Sequence, residues 1–535
     1  MSAFVISLAA AGLNLIHRWL LLSTSPMTFD AWGHVYFTTE AKRPGVGPFG
    51  PIRPRVVGAE DFHYPLLVHW LYSYLPTRLL REQNQRINPV LESIFVCLVC
   101  FLFATAGLPT QVVGLTAILY ILTPLWFSKL STGPRVLNFT TRIFPEIAFP
   151  LALAIALFGG SHPLVAVSVS ALLLACILLG SKFGVQTVVL VTPITAALAL
   201  SYTLAGAWLL AFPVAVLLSA GKFQLQLRQQ GAHLKWYLGE LWAGRMPIAA
   251  RNDLAFLFRW SRTLSTRDNL GRLIYSWFAR NSFTAVLLKA PHVPLALIMF
   301  VFARARGIEI DRHIWAPVIA AAAVYMLINL KWLLWLGEAE RYLSHVSIFT
   351  SLLFVVLCVA LDVRPLIGLA ATYGLVFTLA ELSLLRGGLE LGNPEAANQL
   401  IGYLKSLDGP RKIVVFPYHA MPPYRIMLET EHEPVFPLLS GATHKAAIKE
   451  LENYPCLDLH RLDRLVELTG ANLLILSSSE RAKRLQDWSV PLDWRHVDLC
   501  LADFEIYERP ASSGLGASNN GGKGMPRMNG LGAAI

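Results

Sequence analysis

For its first 385 residues the chain alternates long apolar stretches with short polar ones. Apolar runs lie near 4–22, 90–107, 110–128, 145–158, 163–180, 185–202, 205–220, 284–304, 314–336, 345–361 and 366–385. A helix needs roughly 20 apolar residues to cross a bilayer, and helices satisfy their own backbone hydrogen bonds there. The pattern therefore predicts a polytopic α-helical membrane protein of about eleven transmembrane helices, the shorter ones tilted or partly buried. The first run, Phe4 to Leu22, has no basic residues ahead of it and is interrupted by Asn14, His17 and Arg18. It reads as a retained span and not a cleaved signal peptide. Residues 66–80 are aromatic, amphipathic and too short to span, as expected of a helix lying in the membrane interface.

After residue 387 the pattern changes. Lys412–Phe416 and Ala471–Leu476 read as strands, 443–453 as a helix, Leu465–Gly470 as a helix end, and His496–Tyr507 as a terminal strand. The expected layout is a membrane module over 1–386 with outer loops 23–89 and 221–283, then a C-terminal soluble α/β domain over 387–510. A Gly/Ser/Asn-rich tail over 511–535 is expected to be disordered.

Composition agrees with a membrane location. The chain is 55% hydrophobic and 15% charged, with mean hydropathy +0.51, against roughly 25% charged residues in soluble proteins. The net charge of +11 suits anionic headgroups or phosphate-bearing substrates, and no nucleic-acid-binding motif accompanies it. Loop 221–283 carries much of that charge, with Lys222, Arg228, Lys235 and seven arginines among Trp236, Tyr237, Trp242, Trp260 and Trp277. Of the cysteines, Cys97, Cys100, Cys176 and Cys358 fall in apolar runs. Cys456 and Cys500 lie in the tail and would pair in an oxidising compartment. Asn138-Phe139-Thr140 matches a glycosylation sequon, a triplet common by chance.

If the first span runs outward, alternation puts 23–89, 129–144, 181–184, 221–283, 337–344 and the tail on one face. Candidate chemistry concentrates there. Asp30 and His34 are four apart after the first span, placed to orient a hydroxyl or hold a metal, although Asp30 also suits an ordinary helix N-cap. They are the candidate catalytic pair and candidate metal ligands; no cofactor is certain beyond a candidate divalent ion. Candidate substrate-binding residues begin with Glu60 and Asp61, which precede Phe62-His63-Tyr64-Pro65 and its own candidates His63 and Tyr64. Arg142 and Glu146 open a span, where a carboxylate is costly without a purpose. Lys182 stands in the Gly180–Gly184 break, a point charge for phosphate. Glu338, Arg341, Tyr342 and His345 fall at helical spacings on one expected face. No nucleotide-binding, zinc-protease or serine-hydrolase motif appears in a convincing context.

This arrangement resembles the GT-C superfamily of membrane glycosyltransferases, in the branch of protein O-mannosyltransferases and the bacterial aminoarabinose transferase. The likeness rests on Asp30 with His34, His63-Tyr64-Pro65-Leu66-Leu67, Arg142 with Pro145-Glu146, Lys182, and Glu340-Arg341-Tyr342-Leu343. The chain departs from the mannosyltransferase pattern with Asp30-Ala31 for an Asp-Glu pair and Tyr64-Pro65 for a double proline. The resemblance implies a polyprenyl-phosphate-linked sugar donor, a protein, lipid or glycan acceptor, and an inverting displacement with Asp30 as base. Lys182 and Arg341 would hold the phosphate. It also implies a multi-pass protein of a bacterial inner membrane, with its site and C-terminal domain on the non-cytoplasmic side. Two other readings remain: a transporter or flippase of lipid-linked saccharides, disfavoured by few mid-span charges and no internal repeat, and a polymerase or ligase using a lipid-diphosphate donor. A non-catalytic scaffold leaves the one-sided clustering of Asp, Glu, Arg and His unexplained.

Overall fold

A computed structural model describes residues 2–22, 29–82, 86–123, 140–160, 162–242, 282–330, 332–388, 394–417, 420–437, 439–441, 452–453, 456–478, 489–498 and 503–509. The apolar runs fall on helices: α1 (Ala3–Leu22), α5 (Ile87–Thr105), α6 (Thr110–Leu122), α7 (Ile143–Phe158), α8 (Pro163–Gly180), α9 (Lys182–Ala199), α10 (Tyr202–Leu218), α12 (Ser282–Lys289) with α13 (His292–Ala305), α14 (Arg312–Ile328), α16 (Ser347–Ala360) and α17 (Pro365–Gly388). Between them lie α2 (Phe29–Ala41), α3 (Leu67–Tyr72), α4 (Thr77–Glu82), α11 (Phe223–Trp242) and α15 (Glu340–Ser344).

The expectation of about eleven spans is not met by length. Among the described residues, Ala3–Leu20, Ile87–Thr105, Pro163–Gly180 and Lys182–Ala199 are long and apolar enough to cross a membrane. The total reaches six if two bent pairs count as one span each. The chain is an integral membrane protein with a helical membrane fold. The shortfall has physical causes. α16 has 14 residues, about 21 Å at 1.5 Å per residue, and its first nine residues are buried inside the bundle. The run over 284–304 is bent by 82° between α12 and α13, at Ala290-Pro291. α1, α8, α10 and α13 turn Phe4, Leu8, Leu164, Leu209, Leu217 and Ile298 outward, as a lipid-facing surface requires.

Local sequence sets the ends that matter for the site. Ser181 breaks the chain between α8 and α9, and its hydroxyl caps α9 by accepting from Gly184 N at 3.1 Å. A Cβ on Gly180 would run into Val68 of α3, so only glycine lets α3 pack over this break. The interfacial segment 66–80 forms α3 and then α4, interrupted before Pro76.

Toward the C-terminus, α18 (Pro394–Ser406), α19 (Pro423–Glu429) and α20 (Leu462–Thr469) pack on a five-stranded sheet. Its strands are β1 (Lys412–Phe416), β2 (Glu433–Pro434), β5 (Leu473–Ser477), β6 (Arg495–His496) and β7 (Phe504–Glu508), in the order β2-β1-β5-β7-β6. β2, β1 and β5 are parallel, while β7 and β6 join antiparallel. β5 is buried on both faces. Ile413, Val415, Leu473 and Ile475 meet Leu400, Leu404 and Ile426 of α18 and α19. Val414, Phe416, Leu474 and Leu476 meet Leu462, Leu465 and Val466 of α20. The alternation follows from the two-residue period of a strand.

The expected helix over 443–453 lies mostly outside the described residues. Its end, Glu452–Asn453, is instead strand β3, paired with β4 (Cys456–Leu457). Also outside them are Cys500, so the Cys456–Cys500 pairing, the 511–535 tail and most of the basic loop after Trp242.

Candidate active site

α2 starts at Phe29 and presents Asp30 in its first turn, where a carboxylate suits the positive helix end. The Asp30 carboxylate forms an ion pair with Arg142 Nη2 at 3.1 Å, from the residue preceding α7. The Arg142 guanidinium carbon lies 6.0 Å from the Phe183 ring centre and that of Arg341 lies 4.0 Å from it, so one aromatic ring supports two guanidinium groups. Arg341 is paired with Glu338. Lys182, beside Phe183, places its ammonium 5.1 Å from the Tyr64 ring centre. Tyr64 stacks on Phe37 of α2 with centroids 4.5 Å apart. Burial pushes the Tyr64 phenol up to about 12, with Arg142 and Asp30 acting on it as opposed charges. Two carboxylates, Asp30 and Glu338, and three cations from four separate segments thus meet around two aromatic rings at the ends of apolar helices. Such a constellation can bind a phosphate with its cations while the Asp30 carboxylate faces a hydroxyl.

No family model matches the sequence, and no curated protein matches it. Among solved structures, the fold matches the archaeal oligosaccharyltransferase AglB from Archaeoglobus fulgidus, in complex with an inhibitory peptide and a dolichol-phosphate. The TM-score is 0.54 at 12% identity, covering 96% of this chain and 75% of that one. The chain shares the overall fold of that oligosaccharyltransferase.

Within this fold the remaining candidates divide. Arg142 pairs with Asp30, and Glu146 stands in the first turn of α7. His34 shares a helix with Asp30 and is buried. Its Nδ1 lies 3.1 Å from His69 Nε2, and its Nε2 lies 3.0 Å from Thr140 Oγ1. Both ring nitrogens are thereby engaged in packing α2 against α3 and the start of α7. Among the described residues, no group of three or more His, Cys, Asp or Glu could hold a metal ion. Burial against His69 gives His34 a structural role beside the catalytic and metal roles expected for it.

Burial, with the charge of Arg142 second, pulls the His34 imidazole down from 6.5 to about 3. The unfolded chain takes up a proton below about pH 6.5 that the native ring refuses. Stability should therefore fall with falling pH between those values, by about 1.4 kcal/mol per unit, and stop falling near pH 3. Thermal melts at pH 7 and pH 5 should show a larger loss for the wild type than for His34→Gln.

The expected single face of Glu338, Arg341, Tyr342 and His345 is corrected. α15 spans only Glu340–Ser344, and the four residues split. Glu338 and Arg341 join the Phe183 cluster. Tyr342 donates to Gln186 Oε1 at 3.0 Å, and His345 Nδ1 lies 2.7 Å from Thr187 Oγ1, tying α15 to α9. Glu60 and Asp61 are exposed, and the Glu60 carboxyl packs on Gly441 near the sheet. The His63 N–H donates to Gln229 of α11.

Sequence reading missed Phe183, His69, Thr140, Gln226, Gln229 and the partners α19 brings. The Tyr424 ring rests on Gly33, and Arg425 lies 5.0 Å from the Trp32 ring centre, so α19 sits on the helix that carries Asp30. It also missed Gly337, whose φ of +102° is a glycine conformation and whose Cβ, if present, would lie 3.2 Å from Phe183. Gly337→Ala should destabilise by about 1–3 kcal/mol, read as a lower melting temperature.

Proposed function

We propose that this chain is a glycosyltransferase that moves a sugar from a polyprenyl-phosphate donor to the hydroxyl of a protein, lipid or glycan acceptor, inverting the anomeric centre. The site lies at the non-cytoplasmic face. The observation that carries this reading is Asp30 gathered with Arg142, Arg341 and Lys182 around Phe183 and Tyr64. The oligosaccharyltransferase that shares the fold was solved with a dolichol-phosphate and a peptide, which supports a lipid-linked donor and a separate acceptor.

The acceptor oxygen attacks the anomeric carbon from the face opposite the phosphate and forms the new glycosidic bond. The bond from that carbon to the phosphate oxygen breaks, and its electron pair leaves with the polyprenyl phosphate. Asp30 takes the acceptor proton. Negative charge grows on the leaving phosphate, where two guanidinium groups and an ammonium stabilise it most at the transition state. Arg142 is shared between both roles: a phosphate drawing on it loosens its hold on Asp30, so donor binding readies the base.

The test uses purified protein in nanodiscs with a radiolabelled polyprenyl-phosphate hexose and candidate acceptors. Polyprenyl phosphate should appear in step with a glycoside of opposite anomeric configuration. Turnover only from a lipid-diphosphate donor, or retained configuration, overturns the reading.

A further inference from the structure

α11 is built inside out. Its first part, Phe223–Ala232, turns 106° from α10, so it leaves the direction of the span. The sequence there is Phe223-Gln224-Leu225-Gln226-Leu227-Arg228-Gln229-Gln230. An amphipathic helix packed on a protein ordinarily turns its leucines inward and its amides to solvent. Here Leu225 and Leu227 are exposed, while Gln226 is fully buried and Gln230 is 9% exposed. Phe223, Gln226 and Gln230 fall at i, i+3 and i+7, a single stripe, and that stripe is the buried one. The exposed leucines suit lipid. The buried glutamines are paid for by nothing apolar and call for polar partners.

Those partners are only half present. Gln226 Nε2 donates to the Tyr64 carbonyl at 3.3 Å, and Gln229 Oε1 accepts the His63 N–H. Gln226 Oε1, Gln230 Nε2 and His63 Nδ1 are buried and have no hydrogen-bond partner among the described residues. Buried polar atoms are nearly always satisfied, so these three need an explanation. The groups are two amides and an imidazole, which between them donate and accept hydrogen bonds. Beside them Tyr64 stacks on Phe37, with Phe62 edge-on to Tyr64 at 6.3 Å. The Lys182 ammonium lies 5.1 Å from the Tyr64 ring centre.

We propose that the inward face of α11, with the His63–Tyr64 segment, is a subsite for the hydroxyl groups of an uncharged pyranose, held next to the phosphate cluster. The subsite deepens the glycosyltransferase reading and rests on it. Amides that both donate and accept match the vicinal hydroxyls of a sugar. A phosphate would take the cations instead, so the two chemistries divide along Tyr64. The sugar comes either from the donor lipid or from a glycan acceptor.

The experiment separates these sources and separates failure of the subsite from failure of the proposed function. Purified protein in nanodiscs is titrated with dolichyl phosphate, with dolichyl-phosphate mannose and glucose, and with methyl α-mannoside and methyl β-glucoside. Wild type, Gln230→Met and Gln226→Met are compared. Methionine keeps the length of glutamine and removes the orphan amide, so Gln230→Met should melt no lower than wild type. If the sugar is the donor's, wild type should prefer a sugar-bearing lipid to dolichyl phosphate by about tenfold or more. Gln230→Met should erase most of that preference and leave dolichyl phosphate binding unchanged. If the sugar is the acceptor's, the same loss should appear with a methyl glycoside. An intact sugar preference in both folded variants overturns the subsite, as does an equal loss of dolichyl phosphate binding, which marks a structural role. Absence of any sugar binding by wild type also overturns it. Failure of wild type to bind dolichyl phosphate counts instead against the phosphate cluster and the proposed function.

Discussion

Asp30→Asn is expected to lower glycosyl transfer by about 10²–10⁴-fold, the usual weight of a general base, while leaving the protein inserted and folded. Asparagine has the shape of aspartate and lacks its charge. The ion pair with Arg142 is partly exposed, and such pairs contribute about 0–1 kcal/mol, so the melting temperature should barely move. Kinetics should carry a further mark. Arg142 no longer divides its charge between Asp30 and the donor phosphate, so donor KM should stay level or fall while kcat collapses. Arg142→Ala should behave differently, raising donor KM as well as lowering kcat, because it removes a phosphate ligand. Single-turnover assays on both variants decide the matter. A folded Asp30→Asn protein that keeps more than about a tenth of wild-type kcat would remove Asp30 from the chemistry.

The apolar runs were enough to place the helices of the membrane module, because bilayer-grade hydrophobicity is a local property of sequence. They were not enough to count spans. Whether a run crosses, bends or sits inside the bundle depends on neighbours, as the buried α16 and the bend between α12 and α13 show. The candidate site divides in the same way. Asp30, Arg142, Lys182 and Arg341 stood out because charge at the edge of an apolar run is costly without a purpose. Phe183 carried no signal, since a phenylalanine in such a chain is ordinary, yet its ring is where two arginines meet. The partners of His34, Tyr342 and His345 were not legible, because helical spacing fixes a residue's direction along its own helix and says nothing of what lies opposite. Their neighbours His69, Gln186 and Thr187 are far away in sequence. Strands 412–416 and 471–476 were legible from composition. Their position as neighbours in a mixed sheet, with α19 seated on α2, follows from packing alone.

Arg18→Met is expected to be the most damaging single change to stability, at about 3–5 kcal/mol. In the sequence Arg18 only interrupts the first apolar run. In the fold it is fully buried and joins three helices. Its Nε and Nη2 meet the two Glu92 carboxylate oxygens of α5 at 2.9 and 3.3 Å, and its Nη1 donates to the Ile121 carbonyl of α6 at 3.0 Å. The Tyr120 hydroxyl donates to Glu92 as well, at 3.3 Å, and Asn14 one turn earlier bonds Ser93 at 2.9 Å. Methionine fills much of the arginine's volume and abandons a buried carboxylate, whose desolvation is then uncompensated. The double variant Arg18→Met, Glu92→Met removes both charges together and should recover most of the lost stability. A double-mutant cycle on melting in detergent should therefore give a large favourable coupling between the two sites. A double variant as unstable as Arg18→Met would instead assign the loss to packing. The pair also bears on the site: α1 is followed directly in sequence by the helix that carries Asp30, so a protein that tolerates the double change should retain glycosyl transfer, whereas Arg18→Met alone should lose activity in proportion to the fraction unfolded.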